Sequence, residues 1–167
     1  MKKLISIFTL LFVYSLSVFA GPFGLDMGMT LEDVTKACGE NEPEYISDDR
    51  YYIQPVKSHP LFEGYVVWIS ETEGLYYIKG ISREIQANSY GTEVKQEFAK
   101  LLSPLERKYG KFAKTDKISK DSLSQDEKYW MTAVAEGSRT FEFHWTADEN
   151  NFEKFGGLTT ISIGIRT

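Results

Sequence analysis

An α+β fold, with two or three helices packed on one face of an antiparallel sheet, is what this sequence predicts. Three observations carry that expectation. Residues 140–145 alternate strictly, with Phe141, Phe143 and Trp145 on one side and Thr140, Glu142 and His144 on the other, the pattern of a strand with one buried and one wetter face. Val94, Phe98, Leu101, Leu102, Leu105 and Tyr109 recur at the spacing of a single helical face, so an amphipathic helix is predicted there. Two strand-like segments, 65–70 and 75–85, are separated only by Glu71-Thr72-Glu73-Gly74, which predicts a hairpin. Strands joined by such short turns pair antiparallel and leave one face for helices.

The first twenty residues read as a cleaved signal peptide. Lys2 and Lys3 form a positive start, residues 4–13 are apolar, and Val18-Phe19-Ala20 puts small residues where signal peptidase cuts, so cleavage is expected after Ala20. The apolar run is too short to cross a bilayer, which takes about 20 apolar residues. No cysteine follows the cut to take a lipid. Residues 21–167 then form a single α+β domain, expected to be periplasmic or secreted in a bacterium, with no transmembrane segment in the mature chain.

Along that domain, residues 21–28 predict a loop, rich in Gly and holding Pro22. Thr30 caps a first helix, with Asp33 three residues on, Leu31, Val34 and Cys38 on its apolar stripe, and Gly39 as its stop, an approximation to the capping box. Residues 40–50 predict an acidic loop around Pro43. Residues 50–56 predict a strand that Pro55 confines to an edge or an end, and 58–62 a turn or bulge. In the second hairpin strand Leu75, Tyr77, Ile81 and Ile85 are expected to share a face. The main helix has Thr92 at its start and Gly110 at its end, and Pro104 predicts a kink or break near Leu101. Residues 111–124 predict a mobile, basic connection. Ser124 and Glu127 open a third helix over 124–135, with Trp130 and Val134 as its apolar face. A last strand, 158–165, puts Ile161, Ile163 and Ile165 on one side. Helix-then-strands recurs faintly between the halves.

Charge and composition narrow the function. The chain has 19 basic and 24 acidic residues; two of the bases lie in the signal peptide, so the mature chain is 17 against 24, net −7. That sign argues against a nucleic-acid partner, which requires a basic surface. Cys38 is the one cysteine, so no intramolecular disulfide can form, and its place on the apolar stripe predicts a buried, unreactive thiol. His59 and His144 lack neighbours at metal-ligand spacing, and no G-x-S-x-G elbow accompanies them, so neither metal nor cofactor nor catalytic residue is expected. Asp148-Glu149-Asn150-Asn151 with Glu153 lacks EF-hand spacing and reads as a solvated turn.

Two surfaces stand out as binding candidates. Lys108, Lys111, Lys114, Lys117 and Lys120 recur every third residue; as a ridge, Lys111, Lys114 and Lys117 would face an acidic partner or lipid head groups, whereas an extended segment would scatter them. Tyr51, Tyr52, Tyr65, Trp68, Tyr76 and Tyr77 crowd the first three strands. Alternation sends Tyr52, Trp68 and Tyr76 to the side opposite Ile53, Val67 and Leu75, and an exposed Tyr/Trp face suits recognition because each ring joins apolar area to a polar tip.

Gly28-Met29-Thr30-Leu31-Glu32-Asp33-Val34, closing at Gly39, resembles the opening of SmpA/OmlA (BamE-type) envelope modules and of β-lactamase-inhibitor-like domains. The resemblance implies a first helix packed on an antiparallel sheet. This chain departs from the former in lacking the lipid-bearing cysteine and from the latter in lacking disulfides. His59-Pro60-Leu61-Phe62, Gly74-Leu75 and Tyr109-Gly110-Lys111 are also similar, in order, to small secreted bacterial proteins of uncharacterised role. The expected function is therefore non-catalytic binding to another envelope or secreted protein, as inhibitor, immunity factor or assembly accessory. The alternative is a small-molecule or glycan binder using the aromatic face.

Overall fold

Thr30 opens the first helix, α1 (Leu31–Cys38), through the box its spacing predicts: its hydroxyl accepts from the Asp33 N–H at 3.2 Å, and the Asp33 carboxylate accepts from the Thr30 N–H at 3.2 Å. Two orphan donors at the helix start are thereby satisfied by an Asp in place of the usual Glu. A computed structural model describes residues 21–165; the expected signal peptide, residues 1–20, lies outside the described residues. The architecture is α+β, but its strands form two antiparallel sheets where one was expected.

The first sheet runs in the order β1 (Glu44–Ser47), β2 (Arg50–Ile53), β3 (Phe62–Ser70), β4 (Gly74–Ser82). β1 occupies part of the predicted acidic loop. Tyr45 and Ile46 favour extended backbone, and Tyr45 pairs with Tyr51, so cross-strand pairing overrides the surrounding acids. β2 stops at Ile53, short of Pro55, as a strand must. The β3–β4 hairpin turns at Glu71-Thr72-Glu73, as the sequence predicts.

Inside that hairpin a β-bulge reverses one expectation. Ile69 pairs with Leu75 and Trp68 with Tyr77, leaving Tyr76 as the extra residue. An inserted residue flips every side chain beyond it to the opposite face. Leu75 and Ile78 therefore face inward, while Tyr77 is 51% exposed beside Trp68. The predicted shared face of Leu75 and Tyr77 does not form.

The leading segment is also more structured than a loop. Residues Pro22–Gly24 make a 3-10 turn. The Gly28 N–H donates to the Leu75 carbonyl and the Leu75 N–H donates to the Met29 carbonyl, both at 2.8 Å. This two-way exchange pins the start of α1 to the start of β4. Beneath α1 lies the first core: Leu25, Val34, Cys38, Ile53, Tyr65, Val67, Ile69 and Leu75. Leu31, the first residue of the predicted stripe, stays largely exposed.

The second half centres on α2 (Thr92–Tyr109), which runs unbroken through Pro104. Proline removes one backbone donor, but Phe98 before it and Leu105 and Tyr109 after it pack on one core and hold the helix through that loss. Thr92 is not its cap. Gly91 takes that position at φ 66, and the Asn88 side-chain oxygen accepts from the Tyr90 and Thr92 N–H groups.

The predicted basic connection contains β5 (Ala113–Ile118), the edge of a second sheet ordered β5-β6-β7 with β6 (Arg139–Thr146) and β7 (Thr160–Gly164). The third helix is shorter than predicted: a 3-10 turn, Glu127–Tyr129, capped by Asp126, leads into α3 (Trp130–Ala135). Ser124 is buried and caps nothing; its N–H donates to the Ser122 hydroxyl. A four-residue helix, α4 (Phe152–Phe155), was not predicted; it buries Phe155 against Tyr109 with rings 5.0 Å apart.

Phe141, Phe143 and Trp145 of β6 face inward as their alternation predicts, and join Val94, Phe98, Tyr109, Trp130, Val134 and Phe155 in a second core. Ile161, Ile163 and Ile165 pack against its margin. The two cores share no buried residue. Among the described residues no helix is long and apolar enough to cross a membrane.

Cys38 is 1% exposed, and burial is the main cause pushing its thiol pKa up, opposed by a hydrogen bond with the Gln54 backbone. Thiolate is the reactive form, so both access and chemistry protect it. The native protein is expected to resist a maleimide that labels the urea-unfolded chain readily. Equal labelling rates in the two states would overturn this.

Candidate functional site

The outer face of the first sheet assembles the predicted aromatic residues. Ile53, Val67 and Leu75 point inward and are buried, so their strand neighbours Tyr52, Trp68 and Tyr76 are free to point outward. The bulge adds Tyr77, which the sequence reading missed, because a bulge is a property of strand pairing and not of local pattern. Trp68 and Tyr77 stack edge-to-face with centroids 4.8 Å apart, a favoured aromatic geometry. Trp68, Tyr76, Tyr77 and Lys79 line a broad, shallow depression of about 540 Å³.

Each ring is oriented by a neighbour. The Tyr76 hydroxyl donates to the Asp49 carboxylate in the β1–β2 turn, and this bond is the main cause raising the Tyr76 pKa. Tyr52 lies over Gly64, where a Cβ would strike its phenol, and its hydroxyl donates to the Glu63 carbonyl at 3.3 Å. Tyr52 pairs with Val66, and Val66 with Lys79, so an aromatic, an aliphatic and a cationic side chain cross this face in one row. Tyr76 is 46% exposed.

Lys111, Lys114 and Lys117 do not form a ridge. In β5, Lys114 lies opposite Phe143 and Lys117 opposite Thr140, and Phe143 and Thr140 lie on opposite faces of β6, so period-three lysines on an extended strand fall on both sides. Lys111 precedes the strand and is exposed. Lys114 extends over the Phe141 and Phe143 rings at 5.4 and 5.8 Å and stands 3.8 Å from Asp116. Asp116 in turn binds Arg139 at 2.8 Å, Arg139 binds Glu127 at 3.1 Å, and Glu127 stands 3.8 Å from Lys95. Lys95 and Arg139 sit over the Trp130 ring at 4.4 and 5.6 Å. These charges hold α2, α3 and the second sheet together around one tryptophan.

His144 and Asp148, weighed for catalysis and metal binding, have local partners. His144 Nε2 stands 3.1 Å from Glu142 on the outer face of β6. Asp148 accepts from the Asn150 and Asn151 N–H groups at 2.8 and 3.0 Å, which makes its segment a turn. Among the described residues no three His, Cys, Asp or Glu side chains are placed to hold a metal ion. Comparison with known protein families, curated proteins and solved structures found no match to this chain.

Proposed function

We propose that this is an exported, non-catalytic binding protein whose working surface is the outer face of β2–β4 and whose partner is another envelope or secreted protein. The observation that carries this reading is the shape of the aromatic face: Trp68, Tyr76 and Tyr77 stand on a broad, shallow surface. A glycan or small ligand needs a concavity that encloses most of it, whereas a protein interface needs a flat area with aromatic anchors at its centre. Lys79 borders the rings, Arg50 is paired with Asp48 at 3.2 Å, and Asp49 accepts from Tyr76, so the matching patch is apolar with a rim of both charges. Export rests on residues 1–20 of the sequence. The short likeness to BamE-type and inhibitor-like modules agrees with this role without assigning a residue.

Trp68→Ala tests it. Removing a central interface Trp typically costs about 2 kcal/mol or more in affinity, while a partly exposed ring at a sheet surface costs about 1 kcal/mol in stability. The mature variant is expected to unfold within a few degrees of wild type, on the scale of about 4 °C per kcal/mol, yet to lose the partner that wild type captures from periplasmic extract. Retention of the same partner by the folded variant would reject this face as the site.

A further inference from the structure

A second concavity, about 240 Å³, lies where the two halves meet. Its walls come from three places far apart in sequence: His59, Pro60 and Leu61 ahead of β3, Arg83 just past β4, and Glu97, Lys100 and Leu101 on α2. Pro60, Leu61 and Leu101 supply its apolar lining, and His59, Arg83, Glu97 and Lys100 its polar groups.

The polar groups are unevenly matched. Lys100 binds Glu97 at 2.7 Å, and that hydrogen bond is the main cause holding the Glu97 carboxyl below its usual pKa. The Glu97 charge is therefore already answered. The Arg83 backbone N–H donates to the Leu61 carbonyl at 2.9 Å, and its charge adds to that of Lys100 in holding the Glu97 carboxyl down. His59 Nδ1 accepts from the Leu61 N–H at 3.2 Å, so a neutral imidazole must carry its proton on Nε2 and donate from there. Two cations share one anion, Glu97, so the lining keeps one net positive charge.

We propose that this pocket binds an aliphatic carboxylate: Arg83 takes the carboxylate in a two-pronged pair, His59 Nε2–H is available to it, and the apolar group rests on Pro60, Leu61 and Leu101. A guanidinium fork matches a planar carboxylate. A doubly charged phosphate fits less well, because Glu97 shares the wall and the lining carries only one net positive charge. The volume equals that of about eight liquid waters at roughly 30 Å³ each. It falls below the roughly 300 Å³ floor of drug-sized sites, so the ligand is one carboxylate with one short apolar group. A free branched-chain acid and the C-terminal residue of a peptide both have that chemistry.

The probes are N-acetyl-leucine, its uncharged amide, and a tripeptide ending in leucine with a free or an amidated C terminus. Backbone NMR of the mature protein is expected to show saturable shifts at Leu61, Arg83 and Leu101 with the free acids and none with either amide. Tighter binding of the tripeptide than of N-acetyl-leucine identifies a peptide terminus; equal binding identifies a free acid; either supports the site. Arg83→Gln, at an exposed position, is expected to keep the native spectrum and to weaken binding about tenfold or more. Trp68→Ala should leave this binding unchanged, which separates the pocket from the aromatic face. Absence of shifts at millimolar acid, equal response to the amides, or undiminished binding by Arg83→Gln would overturn the proposal.

Discussion

Gly74→Ala is expected to destabilise the protein by about 3 kcal/mol, one of the two largest single-residue losses that its structure implies. Gly74 sits at φ 72, where an L side chain meets its own backbone. A Cβ there would also press into the Gly28 carbonyl and lie 2.8 Å from the Met29 carbonyl oxygen. Those atoms are backbone, and the adjoining Gly28–Leu75 and Leu75–Met29 hydrogen bonds hold them in place. Left-handed strain contributes about 1–2 kcal/mol and overpacking about 1–3 kcal/mol. Gly156→Ala separates the two contributions: it is also left-handed, at φ 57, but an added Cβ meets nothing within 4 Å. That control should cost only about 1 kcal/mol. Urea midpoints at constant m-value provide the measurement, and equal losses for the two variants would mean that the Gly28–Leu75 clasp is not rigid.

Phe98→Ala should cost on the order of 3–5 kcal/mol, the range for truncating a buried aromatic ring. Phe98 is 8% exposed and its ring lies 5.3 Å from Phe141 and 6.0 Å from Phe143. The removed ring spans the interface of α2 with β6, so the cavity can close only if the helix shifts on the sheet. Residues on both sides oppose that shift: Val94 and Tyr109 are buried in the same core. Denaturant unfolding of the variant beside wild type measures the loss. A cost below about 1 kcal/mol is that of a surface change and would show that α2 presents a different face.

Phe98 was legible in the sequence because its signal is local: an eighteen-residue helix repeats its apolar face often enough to be read. The same holds for Phe141, Phe143 and Trp145, and for the Thr30–Asp33 cap. β5 was hidden for the opposite reason. Ala113 to Ile118 carries two lysines and an aspartate on an edge strand, so charge spacing outweighed any strand pattern. β1 was masked by its acidic neighbours, and four-residue α4 is too short to show a period. The outward set Tyr52, Trp68 and Tyr76 followed from alternation alone. Tyr77 did not, because the bulge that turns it outward exists only once β3 and β4 are paired. The pocket of His59, Arg83 and Lys100 had no sequence signal: nothing in the chain links a loop, a strand end and a helix forty residues apart except the packing itself.

The separation of the two cores has a consequence for how the chain is made. Every buried member of the first core lies between Leu25 and Leu75, and every buried member of the second between Val94 and Phe155. A ribosome releases the chain from its N-terminus, and units whose contacts are all upstream can close early. The complete buried set of the first sheet has therefore been polymerised before the first buried residue of α2 is added. Its two halves are laid out along the chain in the order in which they can be finished.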